Sequence, residues 1–256
     1  IWKGIGKVQQ GTISEESWHF QSAQGKKVFQ EWANNLAKYN PEEANKLLDK
    51  IGLTKRDSEG FRTRPDGKKL EIILDVTGWG TVPINTEAAP IIKKNWEDIG
   101  LRVILNDVYN TPEEGLRDNE GTYMIRMAHV AEMDLWTYPD WVFPGPNNRC
   151  WPLISLWIRT GGDQGEKPEP GSPEDRLLKL YQKGIAEKDL VKRHKYVWDA
   201  VQIHIKEGPF FIGITGALPT PVIVRKNFRN VPNFGVLGPW AIGGPGNTCP
   251  EQYFFE

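Results

Sequence analysis

Cysteine is nearly absent: Cys150 and Cys249 are the only two in 256 residues. The chain therefore has no CxxC pair for a zinc site or a dithiol redox centre. The two sulfurs either remain separate thiols or close a loop of roughly 100 residues, a bridge worth up to about 4.7 kcal/mol in the chain-entropy picture. Histidine is scarce as well. His19, His129, His194 and His204 are scattered, with no HExxH or HxxxH spacing. An excess of either charge is also missing, with 32 Lys+Arg against 33 Asp+Glu. That argues against a nucleic-acid binder or a polybasic membrane anchor, which would need clustered positive charge. No apolar run is long enough to span a bilayer, and any localisation signal is expected to lie outside this sequence. G-x-S-x-G and Walker A patterns are absent, and Gly4-x-Gly6 lacks the preceding strand and third glycine of a dinucleotide fingerprint.

What is abundant is tryptophan, at 11, and proline, at 19. The length suits one large domain or two small ones. A chain this long buries about three-quarters of its unfolded surface, so it needs no staple to fold. It opens at Ile1 rather than Met, and is expected to be a piece of a longer polypeptide.

Helical spacing of Val28, Phe29, Trp32, Ala33 and Leu36 predicts a helix over 24–39. Asn40-Pro41-Glu42-Glu43 is a helix start, with Asn40 as N-cap and Pro41 at the first turn. Ala44, Leu47, Leu48 and Ile51 then form one apolar face before Gly52. The turn Asp57-Ser58-Glu59-Gly60 lacks the alternating oxygen ligands of a calcium loop. A β-α-β rhythm follows. Strands are expected at 70–76, 101–105 and 123–127, with helices at 87–99 and 112–117. Alternation of this kind implies crossovers and a mainly parallel sheet flanked by helices. Residues 131–171 show no periodicity. Two helices are predicted at 173–186 and 190–206, the second with His204 on its apolar stripe. Phe210–Thr215 and Val222–Arg225 are expected to pair as strands.

The run Met133-Asp134-Leu135-Trp136-Thr137-Tyr138-Pro139-Asp140-Trp141, followed by Trp151 and Trp157, is the candidate site. Flat aromatic faces cover apolar ligand surfaces while carboxylates take donors, and loops at strand carboxyl ends are where open α/β sheets bind ligands. Expected ligand contacts are Trp136, Tyr138, Asp140, Trp141, Trp151 and Trp157. Trp79 and Asp134 are weaker candidates. Asp134 and Asp140 also admit a glycosidase pair, and the aromatics admit a purely structural role. Trp32, Trp96 and Trp198 read as packing.

The stretches Asn40–Leu53, Pro65–Leu70, Lys94–Gly100, Arg193-His194-Lys195, Glu207–Phe211 and Arg229–Asn233 resemble the family 5 extracellular solute-binding proteins, the peptide, nickel and oligosaccharide receptors of bacterial ABC importers. The resemblance covers 40–256 and corresponds to the C-terminal half. It implies an α/β, periplasmic-binding-protein-like (type II) lobe with a mainly parallel mixed sheet. Residues 1–39 would lead in from the first lobe or hinge, 40–205 would form the second lobe, and 206–256 would return to the first. It also implies a monomer, extracellular or periplasmic, attached to the cell surface by a lipid anchor outside this sequence. The partners would be ABC permease subunits and a small oligomeric solute, with no enzymatic activity, cofactor, metal or nucleic acid. Peptide-binding members typically carry Ala-Asp-Tyr-Pro-Asp, whose first Asp holds the peptide α-amine. Tyr138, Pro139 and Asp140 match that motif, and Thr137 stands at the amine-binding position. This departure points toward an oligosaccharide, with a peptide as the alternative if Asp134 or Asp140 replaces the lost charge.

Overall fold

The computed structural model of the chain describes residues 4–77, 83–109, 111–128, 133–217, 223–233 and 248–256. The chain divides into two compact units, Lys38–His129 and Trp2–Ala37 with Val130–Glu256. The second division falls inside the span 40–205. Trp79 lies outside the described residues. No helix among those described is long and apolar enough to cross a membrane.

In the unit Lys38–His129 the order is α2 (Pro41–Lys50), β1 (Glu71–Val76), α3 (Pro83–Asp98), β2 (Arg102–Asp107), α4 (Pro112–Glu120) and β3 (Ile125–Arg126). The sheet is fully parallel, in the order β2-β1-β3. Parallel neighbours require crossovers, which α3 and α4 supply. Leu74, Val76, Ala89, Val103 and Met127 form its buried core. The helix start at Asn40 is as read: its side chain accepts from the Glu43 amide and Pro41 opens the helix. The apolar face read on α2 is largely open: no residue of this helix is buried and Ile51, which caps it, is 68% exposed. A charged side chain anchors the helix instead. Arg62, 3% exposed, donates to Asp49 Oδ1 and Asn45 Oδ1, both at 2.6 Å, and to the Ile99 carbonyl at 3.0 Å. In the Asp57–Gly60 turn, the carboxylates of Asp57 and Glu59 are held by Arg102.

The other unit contains α1 (Ala23–Asn34), α5 (Pro152–Arg159), α6 (Pro173–Ala186), α7 (Leu190–Glu207), and a short antiparallel pair, β4 (Phe228–Arg229) with β5 (Phe254–Phe255). Its core joins Phe20, Val28, Phe29 and Trp32 to Leu135, Val142, Phe143, Leu177, Val197, Ala200 and Val201. Two expectations are corrected here. The stretch 131–171 contains α5, whose eight residues PLISLWIR are too short a run to establish a helical period. The segment 210–217 does not pair with 223–225. It meets the lead-in segment through one antiparallel bridge, Lys7 with Gly216, and through Gly213 N–H to Gln10 Oε1. Cys150 and Cys249 are separate thiols.

His204 sits at the centre of this core. Its Nε2 donates to the Val142 carbonyl at 2.8 Å, and Trp32, Trp151, Phe210 and Phe211 surround the ring. Burial depresses its pKa to about 4, with the Val142 bond only partly offsetting that. Above pH 6.5 the ring is neutral in both folded and unfolded chains. Below 6.5 the unfolded chain gains a proton that the folded chain refuses until about pH 4, so stability falls across that window. Between pH 7 and pH 5 this residue should cost about 2 kcal/mol. His204→Gln keeps a donor for Val142, and denaturant unfolding should show the pH 7-to-5 loss reduced by about that amount.

Candidate functional site

The segment 133–151 is irregular yet sealed: Leu135, Val142 and Phe143 are fully buried and Met133 is 4% exposed. Buried backbone polar groups need partners, and without a sheet ladder they must take them from side chains. Ser17 Oγ donates to the Met133 carbonyl at 2.5 Å, and the Leu135 amide donates to His19 Nε2 at 3.2 Å. Tyr181 Oη donates to the Trp136 carbonyl at 3.4 Å. Asn148 Nδ2 donates to the Phe143 carbonyl, while its Oδ1 accepts the Cys150 and Trp151 amides. Ser155 Oγ lies 2.7 Å from the carbonyls of both Gly145 and Asn148.

The predicted site residues take up distinct places in this framework. Trp136 is half-buried. Its ring stacks near Phe143 and Tyr181 at centroid distances of 5.8 and 6.2 Å, Arg193 lies over it at 5.2 Å, and His19 meets it edge-on. Trp141 is half-buried and meets the Phe211 ring, and Trp151 packs on Phe210 and His204. Trp157, on α5, lies against Gly162. Tyr138 is half-buried, and its amide closes the turn onto the Asp134 carbonyl.

The two carboxylates differ. Asp140 is 3% exposed and accepts from the Asn147 amide at 3.0 Å. Burial pushes its pKa up, and the Asn147 bonds offset this only in part. It acts as a staple of its own loop. Asp134 lies nearer the surface. Burial opposes its charge, but the Thr137 hydroxyl and the Trp136 amide, joined by the His19 ring whenever that ring is protonated, hold the carboxyl below its usual range. Its Oδ2 accepts from Thr137 Oγ1 at 2.6 Å. Asp134 thus brings a carboxylate to the exposed Thr137 hydroxyl. Among the described residues no group of three or more His, Cys, Asp or Glu is arranged to hold a metal.

Sequence reasoning missed Ser17, His19 and Asn148. His19 is 116 positions from Leu135, so no local spacing could have joined them.

The profile of the bacterial extracellular solute-binding proteins, family 5 (middle region), matches residues 1–148. The chain belongs to this family. No curated protein sequence matches it. Among solved structures, an oligopeptide-binding protein, OppA, is 28% identical, with a TM-score of 0.77 over 99% of this chain and 40% of its own. MelB of Agrobacterium fabrum C58, solved with stachyose, is 20% identical, with a TM-score of 0.64 over 89% of this chain and 32% of its own. AppA of Bacillus subtilis, solved with a nonapeptide, is 15% identical, with a TM-score of 0.56 over 83% of this chain and 37% of its own. The chain therefore spans two-fifths or less of the length of these family-fold structures. The α/β fold with a parallel sheet flanked by helices is theirs as well.

Trp136 also rests on Gly184 of α6, where an added Cβ would strike the indole ring. Gly184→Ala should cost about 1–3 kcal/mol through overpacking and shift the tryptophan emission. Gly115→Ala, with open space around a helical glycine, should instead stabilise its own unit by a few tenths of a kcal/mol to about 1 kcal/mol. Denaturant melts of the two variants check the contrast.

Proposed function

We propose that the chain is part of the solute-binding component of a bacterial ABC importer. The complete receptor captures an oligomeric solute between two lobes and delivers it to the permease. It works outside the cytoplasmic membrane, in the periplasm or held at the cell surface by a lipid anchor, as a monomer and without catalysis. The chain supplies the second lobe and segments that return to the first. The described loop with Trp136, Tyr138 and Asp134 would contribute one wall of the solute site, with Trp141 and Trp151 packed behind it.

An oligopeptide is the solute the geometry favours. The observation that carries this is Asp134, whose carboxylate stands 2.6 Å from the Thr137 hydroxyl and is held ionised. It restores a negative charge next to the position where peptide-binding relatives place theirs. The similarity to an oligopeptide-binding protein at 28% identity supports the same choice. An oligosaccharide, the alternative, needs open aromatic faces, and the Trp136 ring is already engaged by Phe143, Tyr181 and Arg193.

Thermal-shift measurements on the full-length receptor with peptide and oligosaccharide panels test this, because a ligand of the native state raises the melting temperature. Peptides with a free amino terminus should raise it and oligosaccharides should not. Asp134→Asn, which keeps the Trp136 amide acceptor, should weaken peptide binding about tenfold or more. A shift with oligosaccharides alone overturns the peptide reading, and turnover of any glycoside overturns the receptor reading.

A further inference from the structure

His19 lies in the 3-10 turn Trp18–Phe20 and is 1% exposed. Its ring makes one bond on each side. Nε2 accepts from the Leu135 amide at 3.2 Å, and Nδ1 lies 3.1 Å from Nδ1 of His194 on α7. An amide N–H can only donate, so Nε2 carries no proton. The neutral ring therefore holds its hydrogen on Nδ1 and donates it to His194 Nδ1. His194 carries its own hydrogen on Nε2. Both remaining lone pairs of the two rings are then occupied by donors.

A proton added to the pair must displace one of these bonds. On His19 Nε2 it faces the Leu135 N–H and turns toward Asp134 Oδ1, 3.6 Å away. On His194 Nδ1 it faces the His19 Nδ1–H across 3.1 Å. Either way, one link of the chain from loop to His19 to α7 is lost. The groups acting on the rings are few. The loop presents Asp134, and α7 presents Arg193, whose Nε donates to the Gly184 carbonyl. From α6, Tyr181 lies beyond Trp136. From α1, Phe29 and Trp32 meet the turn through Phe20. Burial, the leading cause, lowers the pKa of both rings, with Asp134 opposing and Arg193 reinforcing.

We propose that His19 is the positioning residue of the Met133–Trp141 loop, and that its hydrogen bond to His194 is an acid-released latch between that loop and α7. The inference concerns loop geometry and needs no solute, so its failure is distinct from failure of the solute reading.

Amide hydrogen exchange on this chain at pH 7.5 and pH 5.0, corrected for the intrinsic pH dependence, tests it. The readouts are the Leu135 amide and the Trp198 indole N–H, which donates to the His19 carbonyl at 2.8 Å. Leu135 protection should fall about tenfold or more in the unaltered chain. In the double variant His19→Gln with His194→Gln, the side-chain amides can make both bonds without titrating, and protection should fall about tenfold less than in the unaltered chain, leaving only the loss that His204 causes in both. His204 is present in both chains, so its titration cancels. If the double variant does not fold, His194→Gln alone keeps an acceptor for the His19 Nδ1–H and removes one proton site, and it should lose less protection than the unaltered chain. Equal losses in the unaltered chain and the Gln variant, or unchanged protection in the unaltered chain at pH 5.0, overturn the latch.

Discussion

A buried backbone with no ladder to join must find its hydrogen bonds elsewhere, and that constraint organises the unit that holds the candidate site. The residues around Leu135, Val142 and Phe143 lie at the centre of a core without belonging to a helix or strand. Each bond made to them contributes only about 0.5–1.5 kcal/mol net, but leaving the group unpaired costs about 1–3 kcal/mol. The partners are thus more tightly specified than their modest net worth suggests. Ser17, His19, Asn148, Ser155 and His204 are polar residues, 2% exposed or less, that meet this need. Their burial follows from the loop's, and the loop's from theirs.

Helix α7 ties the arrangement together. Val197, Ala200 and Val201 give it an apolar face, and a histidine near each end of the helix works toward the loop. His204 reaches the Val142 carbonyl directly, whereas His194 reaches Leu135 only through His19. The two histidines differ in consequence. His204 is enclosed by rings and meets acid as a global cost to folding. His19 has Asp134 close by, so a protonated ring has somewhere to turn. A core histidine without a counter-charge can only destabilise, while one with a carboxylate nearby can exchange one bond for another.

The regular elements were legible because local chemistry dictates them. Asn40 with Pro41, the alternation through β1 and β2, and the stripe on α7 are signals read within one or two turns of chain. On α2 the spacing of Leu47, Leu48 and Ile51 shows that a face exists and not that anything covers it, and Arg62 provides the anchorage. Helix α5 was hidden because its eight residues are too few to establish a period. At the site, the sequence located the loop through its aromatic content, and Asp134 and Trp136 sit where that loop turns. It could not reveal that His19 holds Leu135, because that pairing arises only when segments 116 positions apart meet.

That distinction changes what the tryptophans mean. A loop lacking ladder bonds gains rigidity from large rings, which bury wide areas while fixing few side-chain torsions. Trp136 stacks toward Phe143 and Tyr181, Trp141 turns an edge to Phe211, and Trp151 meets Phe210. Stacking already committed within the protein is not free for a sugar face, and giving it up would forfeit about 0.5–1.5 kcal/mol for each ring pair. In the proposed receptor, solute recognition on this wall would fall to the polar groups that the rings hold in place. Thr137 is exposed, and its hydroxyl rests on the ionised Asp134, whose other oxygen caps the Trp136 amide. Aromatic packing thus sets the position of a charge.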